Sequence, residues 1–329
     1  MTILSTPTQD TGTELPRVLV LMATYNGSAW VCDQVRSIAA QRGVALTLAV
    51  RDDASTDDTL ALVEAGFGTA GPLQILHSRC PGGSAAKNFF RLIQDVNVSG
   101  HDFVALADQD DIWEPAKLAR AVQCLNGSGA VGYSAAVRAF WPDGRTALLT
   151  QNRTPTLADY LYEGGGQGCT YLMRASTVAQ LQTMLAAHQS RLDVLHYHDW
   201  TLYALCRAQG LTWFIDDWAC LQYRQHSSND TGARSGLANI GKRLALLRSG
   251  WYGAQIDAVA RLCVAAAGES ATGAVNYLRC SSAARAGWPG RLRLCVYMLR
   301  HGRRRTSDRL VMAWAALCGH LTRDDSPAH

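Results

Sequence analysis

Residues 102–113 read Asp-Phe-Val-Ala-Leu-Ala-Asp-Gln-Asp-Asp-Ile-Trp (DFVALADQDDIW), an apolar run that ends in three carboxylates within four positions. Asp102 to Ala107 is short and continuously apolar after its first residue, the pattern of a strand buried on both faces. Carboxylates this close repel one another unless something positive sits among them, and a divalent cation resolves that repulsion. An isolated acidic turn is ordinarily solvated, its last Asp capping the next helix. Here the strand end before the cluster and Ile112-Trp113 after it are too apolar for an exposed turn, which points to a functional site.

The same rhythm extends in both directions from that stretch. Arg17 to Ala23 (RVLVLMA) is a second buried-type strand. It ends in the turn residues Thr24-Tyr25-Asn26-Gly27, and a helix follows through Val31, Val35 and Ile38, with Ser28 as the expected N-cap. Val44 to Val50 is the next strand, and it exits through Arg51-Asp52-Asp53-Ala54-Ser55-Thr56. There, Ser55 and Asp58 have the spacing of a capping box for the helix through Leu60, Leu62 and Val63. Leu73 to Leu76 and a helix from Ser84 to Val96 repeat the unit, and after the acidic turn comes a helix over Glu114 to Leu125 with Pro115 in its first turn. Strand–helix alternation of this kind builds an α/β fold with a mostly parallel sheet flanked by helices. Ligands of such sheets bind beyond the carboxyl ends of the strands. Tyr25-Asn26, Asp52-Asp53 and Asp108 to Asp111 all fall there.

Beyond Gly127 the pattern changes. Val131 to Trp141 alternates like a strand, Gly164 to Gly168 is a glycine-rich loop, Cys169 to Met173 is another strand, and Ser176 to His188 a helix. Asp199 opens a further helix, and Leu211 to Tyr223 reads as two strands broken at Asp216-Asp217. From Arg234 the chain is rich in Ala, Leu and Arg with no strand signal. The expected organisation is a loose tail over 1–16, two halves of one α/β domain over 17–126 and 127–233, and a helical, basic C-terminal region over 234–329.

Of the 329 residues 48% are apolar and 18% charged, with a net charge of +4, a folded and not a disordered composition. No apolar run reaches the roughly 18–20 residues that span a bilayer, and residues 1–14 lack the apolar stretch of a signal peptide, so a cytoplasmic protein is expected. No two of the 10 cysteines form a CxxC pair, and most lie in apolar stretches, where a cysteine serves as a small hydrophobe. Gly66-Phe67-Gly68-Thr69-Ala70-Gly71 matches GxGxxG, yet it follows a helix and leads into a strand, the reverse of what a pyrophosphate-binding turn requires. Gly82 to Lys87 lacks the Gly-Lys-Ser/Thr ending of a P-loop.

Taken in order, Ala23-Thr24-Tyr25-Asn26-Gly27, Asp52 to Asp57, Ala107 to Trp113, Gly168-Cys169, His198-Asp199-Trp200 and Tyr223-Arg224-Gln225-His226 make the chain resemble the family 2 glycosyltransferases of GT-A fold, in particular the rhamnosyltransferase-like members. The resemblance runs over about residues 17 to 232 and leaves out the last hundred. It implies an inverting transfer of a sugar from a nucleotide-sugar, by analogy dTDP-L-rhamnose, to a glycan or lipid-linked acceptor in bacterial surface polysaccharide synthesis. By the same resemblance Ala23, Tyr25 and Asp53 belong to the nucleotide site, with Tyr25 and Asp53 holding the base. Asp108 touches the ribose or a metal-bound water, and Asp110 ligates Mg²⁺ or Mn²⁺. His226 is a late metal ligand or diphosphate contact. Arg79, Lys87 and Arg224 are the cations available to the diphosphate. Asp199 stands where the family has its general base, and Gly168 and Trp200 are the acceptor candidates. The chain departs from the family at His198, where an acidic residue often precedes the base. The rival enzyme reading, a sugar nucleotidyltransferase, calls for a Gly- and Arg-rich loop after the first strand, which Ala23 to Gly27 is not. The rival non-enzyme reading, an inactive binding protein, is opposed by the intact Asp110 and Asp199.

Two further segments carry expectations. Gly164-Gly165-Gly166 is either a mobile loop over the substrates or a passive turn. Arg285 to Arg309 holds eight arginines and one acid, interleaved with aromatic and aliphatic residues. Such a stretch fits an anionic membrane surface better than a nucleic acid, or else closes a helical bundle with its arginines facing solvent or paired with surface acids.

Overall fold

The computed structural model describes residues 14–78, 82–226 and 245–322, so Arg79 lies outside the described residues. The expected alternation opens the chain: β1 (Arg17–Thr24), α1 (Val31–Ala39), β2 (Ala45–Asp52), α2 (Thr59–Phe67), β3 (Leu73–His77), α3 (Ala85–Asp95) and β4 (Phe103–Ala107). The short β5 (Ile112–Trp113) and α4 (Lys117–Ser128) follow, then β6 (Gly132–Phe140), β7 (Thr146–Leu149), β8 (Leu172–Arg174), α5 (Ala175–Ala187), α6 (Gln189–Leu192), α7 (His198–Ala208) and β9 (Trp213–Arg224). Four helices close the described chain: α8 (Trp251–Ala267), α9 (Thr272–Arg285), α10 (Trp288–His301) and α11 (Thr306–Leu317).

All nine strands join one sheet in the order β3-β2-β1-β4-β8-β6-β9-β5, with β7 paired to β6. The first four in that order are parallel, as strands linked by crossover helices must be. Beyond β4 the pairing is mixed, with β8 antiparallel to both β4 and β6, and β9 parallel to β6. The chain winds outward from β1 to β3 and then returns to the other side of β1 as β4. That reversal opens a crevice at the carboxyl ends of β1 and β4.

The continuous burial of β1 and β4 follows from apolar packing on both faces. Because successive strand residues point to opposite sides, Leu19, Leu21, Val104 and Leu106 enter one core while Val18, Val20, Phe103 and Ala105 enter the other. Helices α1, α2 and α4 cover the second core. Helices α3, α5 and α7 cover the first, and so do α8 to α11: Ile256, Tyr277, Met298 and Met312 belong to the same buried cluster as Phe89 and Tyr203. The C-terminal helices α8 to α11 are therefore a layer of the α/β domain's core.

Four local expectations differ. Ser28 does not cap α1, which starts at Val31 with no side-chain cap. Ser55 and Asp58 form no capping box either, since Ser55 is held by Asp52 instead. Leu211 to Tyr223 is one strand, with the register shifting between Ala135 and Ala136 of the neighbouring β6, opposite Asp216 and Ala219. Asp216 stays inside because Arg120 and the Tyr133 hydroxyl donate to it at 2.7 and 2.9 Å, and its charge thus interrupts the hydrophobic pattern without breaking the strand. The segment expected to be a strand from Cys169 begins with a 3₁₀ turn over Gly168–Thr170 and becomes β8 only at Leu172.

Candidate active site

The loops after β1 and β2 lock into each other. Asp52 accepts hydrogen bonds from the Thr24 and Ser55 hydroxyls at 2.8 and 2.6 Å and from the Ser55 N–H at 2.8 Å. In return the Asn26 N–H donates to Ser55 Oγ, and the Thr56 N–H donates to Asn26 Oδ1. Asn26 and Ala54 take positive φ angles of 44° and 63° to do so, a local cost that the surrounding bonds hold in place. Buried Asn88 of α3 stitches the two strand ends together from below, its amide donating to the carbonyls of Thr24 and Arg51. Asp53 is buried and accepts from the backbone N–H groups of Gly82 and Gly83. Tyr25 is 56% exposed, with its backbone clamped by Gln109 in reciprocal bonds of 2.9 and 3.0 Å. The Gln109 amide lies over Gly27, where any Cβ would collide with it.

Directly across the crevice the acidic turn meets the end of β9. His226 Nε2 is 2.7 Å from Asp110 Oδ2, and the imidazole stacks on Trp30 with ring centroids 3.9 Å apart. Arg224 donates to the Asp110 carbonyl at 2.9 Å, and its guanidinium pairs with Asp33 at 2.9 Å. Asp111 is fully buried and accepts from the Arg224 N–H. Burial, and then the charges of Asp110 and Asp108, hold its carboxyl well above the usual carboxylate range. Behind it Lys117, also fully buried, sits 3.5 Å over the Trp113 ring, and burial lowers its pKa.

Among the described residues one group of three, Asp108, Asp111 and Cys169, offers possible ligand atoms within 4.8 Å of one another. Its thiol is a soft donor that suits Mg²⁺ or Mn²⁺ poorly, and burial, and then the Asp111 charge, hold that thiol well above its usual range. Asp110 and His226 bring a carboxylate oxygen and an imidazole nitrogen to 2.7 Å of each other, donors of the kind Mg²⁺ or Mn²⁺ accepts.

The third wall is the start of α7. Asp199 lies in its first turn, accepting from the Gly168 N–H at 3.2 Å and from the Trp200 N–H at 2.7 Å. His198 stacks on Phe89, and burial pushes its pKa down to about 3, so the imidazole is neutral at physiological pH. Gly168 is needed because a Cβ there would sit 2.8 Å from His198 Nε2 and 3.0 Å from Asp199 Cβ. Trp200 is only 5% exposed and its indole N–H donates to the Tyr160 carbonyl, so it packs in the core. Lys87 reaches toward Asp193 at 4.0 Å from the start of α3, and Ala23 is nearly buried at the end of β1.

The glycine loop is fixed. The Tyr171 hydroxyl accepts from the Gly165 N–H, Ser134 donates to the Gly165 carbonyl, and Arg304 donates to the Gly164 carbonyl at 2.7 Å. Arg304, with its side chain 2% exposed, also pairs with fully buried Asp159 at 2.9 Å. Arg303 donates to the Tyr162 carbonyl, Arg285 pairs with Asp257, and Arg309 bonds the carbonyls of Arg303 and Arg304. Four of the eight arginines therefore bond groups of this chain, and Arg304 does so from inside the fold. Trp30, Asp33, Gln109, Asn88 and Arg304 are the supporting residues that local patterns gave no reason to choose, because each acts through a partner distant in sequence.

Residues 16–212 match the family described as glycosyltransferase like family 2. The chain is 37% identical over 241 residues to the dTDP-rhamnosyl transferase RfbG of Shigella flexneri, covering 73% of this chain and 83% of that one. Its fold is similar to that of S. aureus TarS 1–349, with a TM-score of 0.54, 15% identity, and 93% and 89% of the two chains covered. It is also similar to the mannosyltransferase PcManGT from Pyrobaculum calidifontis in complex with GDP-Man and Mn²⁺, with a TM-score of 0.50, 16% identity, and 94% and 88% covered.

Proposed function

The chain belongs to glycosyltransferase family 2, and from that membership we propose that it transfers L-rhamnose, with inversion, from dTDP-L-rhamnose to a hydroxyl of a glycan or lipid-linked acceptor. The rhamnosyl donor is supported by the 37% identity to RfbG of Shigella flexneri over most of both chains. The observation that carries the site assignment is the meeting of His226 with Asp110 across 116 residues of sequence at the carboxyl ends of the parallel strands. Tyr25 and Asp53 take the nucleotide at the mouth of β1 and β2, with Asp108 toward the ribose. Arg224 and Lys87 lend positive charge to the diphosphate. Asp110 and His226 would hold a divalent cation, which when bound would neutralise charge on the departing diphosphate.

Asp199 receives the acceptor hydroxyl proton as the acceptor oxygen forms its bond to the anomeric carbon and the bond from that carbon to the diphosphate breaks. Attack opposite the leaving group inverts the centre. Neutral His198 beside it adds no positive charge, and Gly168 keeps the space against Asp199 narrow.

Titration calorimetry with dTDP-L-rhamnose and Mn²⁺, on the full chain and on Asp110→Asn and His226→Ala, tests the assignment. Metal-dependent binding by the wild type and weakened binding by both variants are expected. Metal-independent binding, or unchanged affinity in both variants, would overturn it.

A further inference from the structure

Among the described residues twelve large apolar side chains are exposed, and seven of them sit on α10 and α11: Trp288, Leu292, Val296, Leu299, Leu310, Val311 and Trp314. Scattered apolar residues are normal on a protein surface, but a cluster marks an interaction site. The two helices pack against each other and run in opposite directions, since a Cβ on Gly319 beyond α11 would strike the Arg291 guanidinium near the start of α10. On α10, residues 288, 292, 296 and 299 fall on one stripe at helical spacing, and exposed Arg293 and Arg300 border it. On α11 every residue from Leu310 to Cys318 is apolar, so the helix buries Met312, Ala313, Ala315 and Ala316 and still presents Leu310 at 60%, Val311 at 45% and Trp314 at 42% exposure. A helix that is apolar all round needs an apolar environment on its outer side as well.

Charge selects the occupant. Between Arg285 and Thr322 the only acid is Asp308, which Arg303 holds at 3.4 Å, whereas Arg293, Arg300 and Arg305 are exposed. Pairing this face with a second copy of itself would bring like charges together with no acid to answer them. An anionic lipid surface supplies both the negative charge and the apolar depth. We propose that the outer face of α10 and α11 is a docking surface for an anionic lipid bilayer, entered by the apolar residues and gripped by Arg293, Arg300 and Arg305.

No described helix is long and apolar enough to cross a membrane, so the hairpin lies on the bilayer. Its turn carries Arg303 and Arg304, which bond the carbonyls of Tyr162 and Gly164, so docking holds the glycine loop and the neighbouring Asp199 side of the site near the lipid surface. That consequence rests on the transferase reading. The docking does not.

Co-sedimentation of the full chain with vesicles of phosphatidylcholine, alone or mixed with phosphatidylglycerol, tests the proposal, with dTDP titration read in parallel on each variant. Binding to the anionic vesicles only, falling with salt, is expected. Leu310→Glu with Trp314→Glu should abolish it, and the triple variant Arg293→Gln, Arg300→Gln, Arg305→Gln should weaken it by roughly fivefold per arginine removed, while dTDP binding is unchanged in both. Absence of binding, equal binding to neutral vesicles, or a concentration-dependent oligomer abolished by Leu310→Glu with Trp314→Glu would overturn it, the last giving the face to a second copy. Failed dTDP binding with intact vesicle binding would instead fault the donor reading alone.

Discussion

Asp199 accepts hydrogen bonds from two backbone N–H groups, those of Gly168 and Trp200, and an asparagine carbonyl oxygen in its place could keep one of them. Asp199→Asn should therefore leave dTDP-L-rhamnose binding intact and lower single-turnover transfer by a factor of about 10² or more, the scale of general base catalysis. The neighbouring His198 has the opposite chemistry. Its pKa falls from 6.5 to about 3 on folding because burial disfavours the charged ring. Between those values the unfolded chain binds a proton that the folded chain refuses, so the contribution is unfavourable at low pH and fades as pH rises toward neutrality. Urea midpoints measured from pH 4 to 7 should climb with pH, and His198→Gln should flatten that climb. Both residues were visible in the chain as a His-Asp pair before an apolar helix. Their roles separate only once Phe89 and Gly168 pack against them, because burial is a property of the fold.

At the scale of elements, the turn between α10 and α11 ties the C-terminal helices to the glycine loop. Arg304 reaches Asp159, Glu163, Gln151 and the Gly164 carbonyl, in a site where neither Arg304 nor Asp159 touches solvent to any extent. Removing Arg304 leaves Asp159 with Arg207 at 3.4 Å and the Tyr203 hydroxyl at 2.8 Å but takes a donor from Asp159 and the Gly164 carbonyl, at a cost of about 1–3 kcal/mol. Arg304→Ala should lower stability by that amount in denaturant titrations, whereas Arg305→Ala, one residue on and exposed, should change it by less than about 0.5 kcal/mol. The strands and helices were largely legible, since buried parallel strands announce themselves as unbroken apolar runs. The errors fell where a polar residue takes a partner that its own helix or strand pattern does not show. Asp216 looked like a strand break because Arg120 and Tyr133 are remote in sequence, and Ser55 looked like a helix cap because its bond to Asp52 competes for the same hydroxyl.

The whole molecule shares one core on the α3 side of the sheet, and α8 to α11 contribute to it as fully as α7 does. A chain ending at residue 226 keeps every motif of the transferase site yet uncovers Phe89, Leu202, Tyr203 and their neighbours. It should lose cooperative unfolding and bind a hydrophobic dye, while the full chain does neither. A sharp two-state melt of the truncated chain would show that the C-terminal layer is dispensable.

The linear order of residues determined the strand–helix alternation, the three polar clusters at strand ends and the acidic turn, since each depends on neighbours within a few positions and on the periodicity of apolar side chains. Tertiary structure alone decided that His226 meets Asp110, that Trp200 is core, that Arg304 is buried against Asp159, and that the exposed apolar residues of α10 and α11 share one hairpin. The physical reason is the same in each case. Whether a charged or aromatic side chain binds a ligand, a partner or its own core depends on which groups the folded chain brings within a few ångströms of it, and those groups come from parts of the sequence that local patterns never compare.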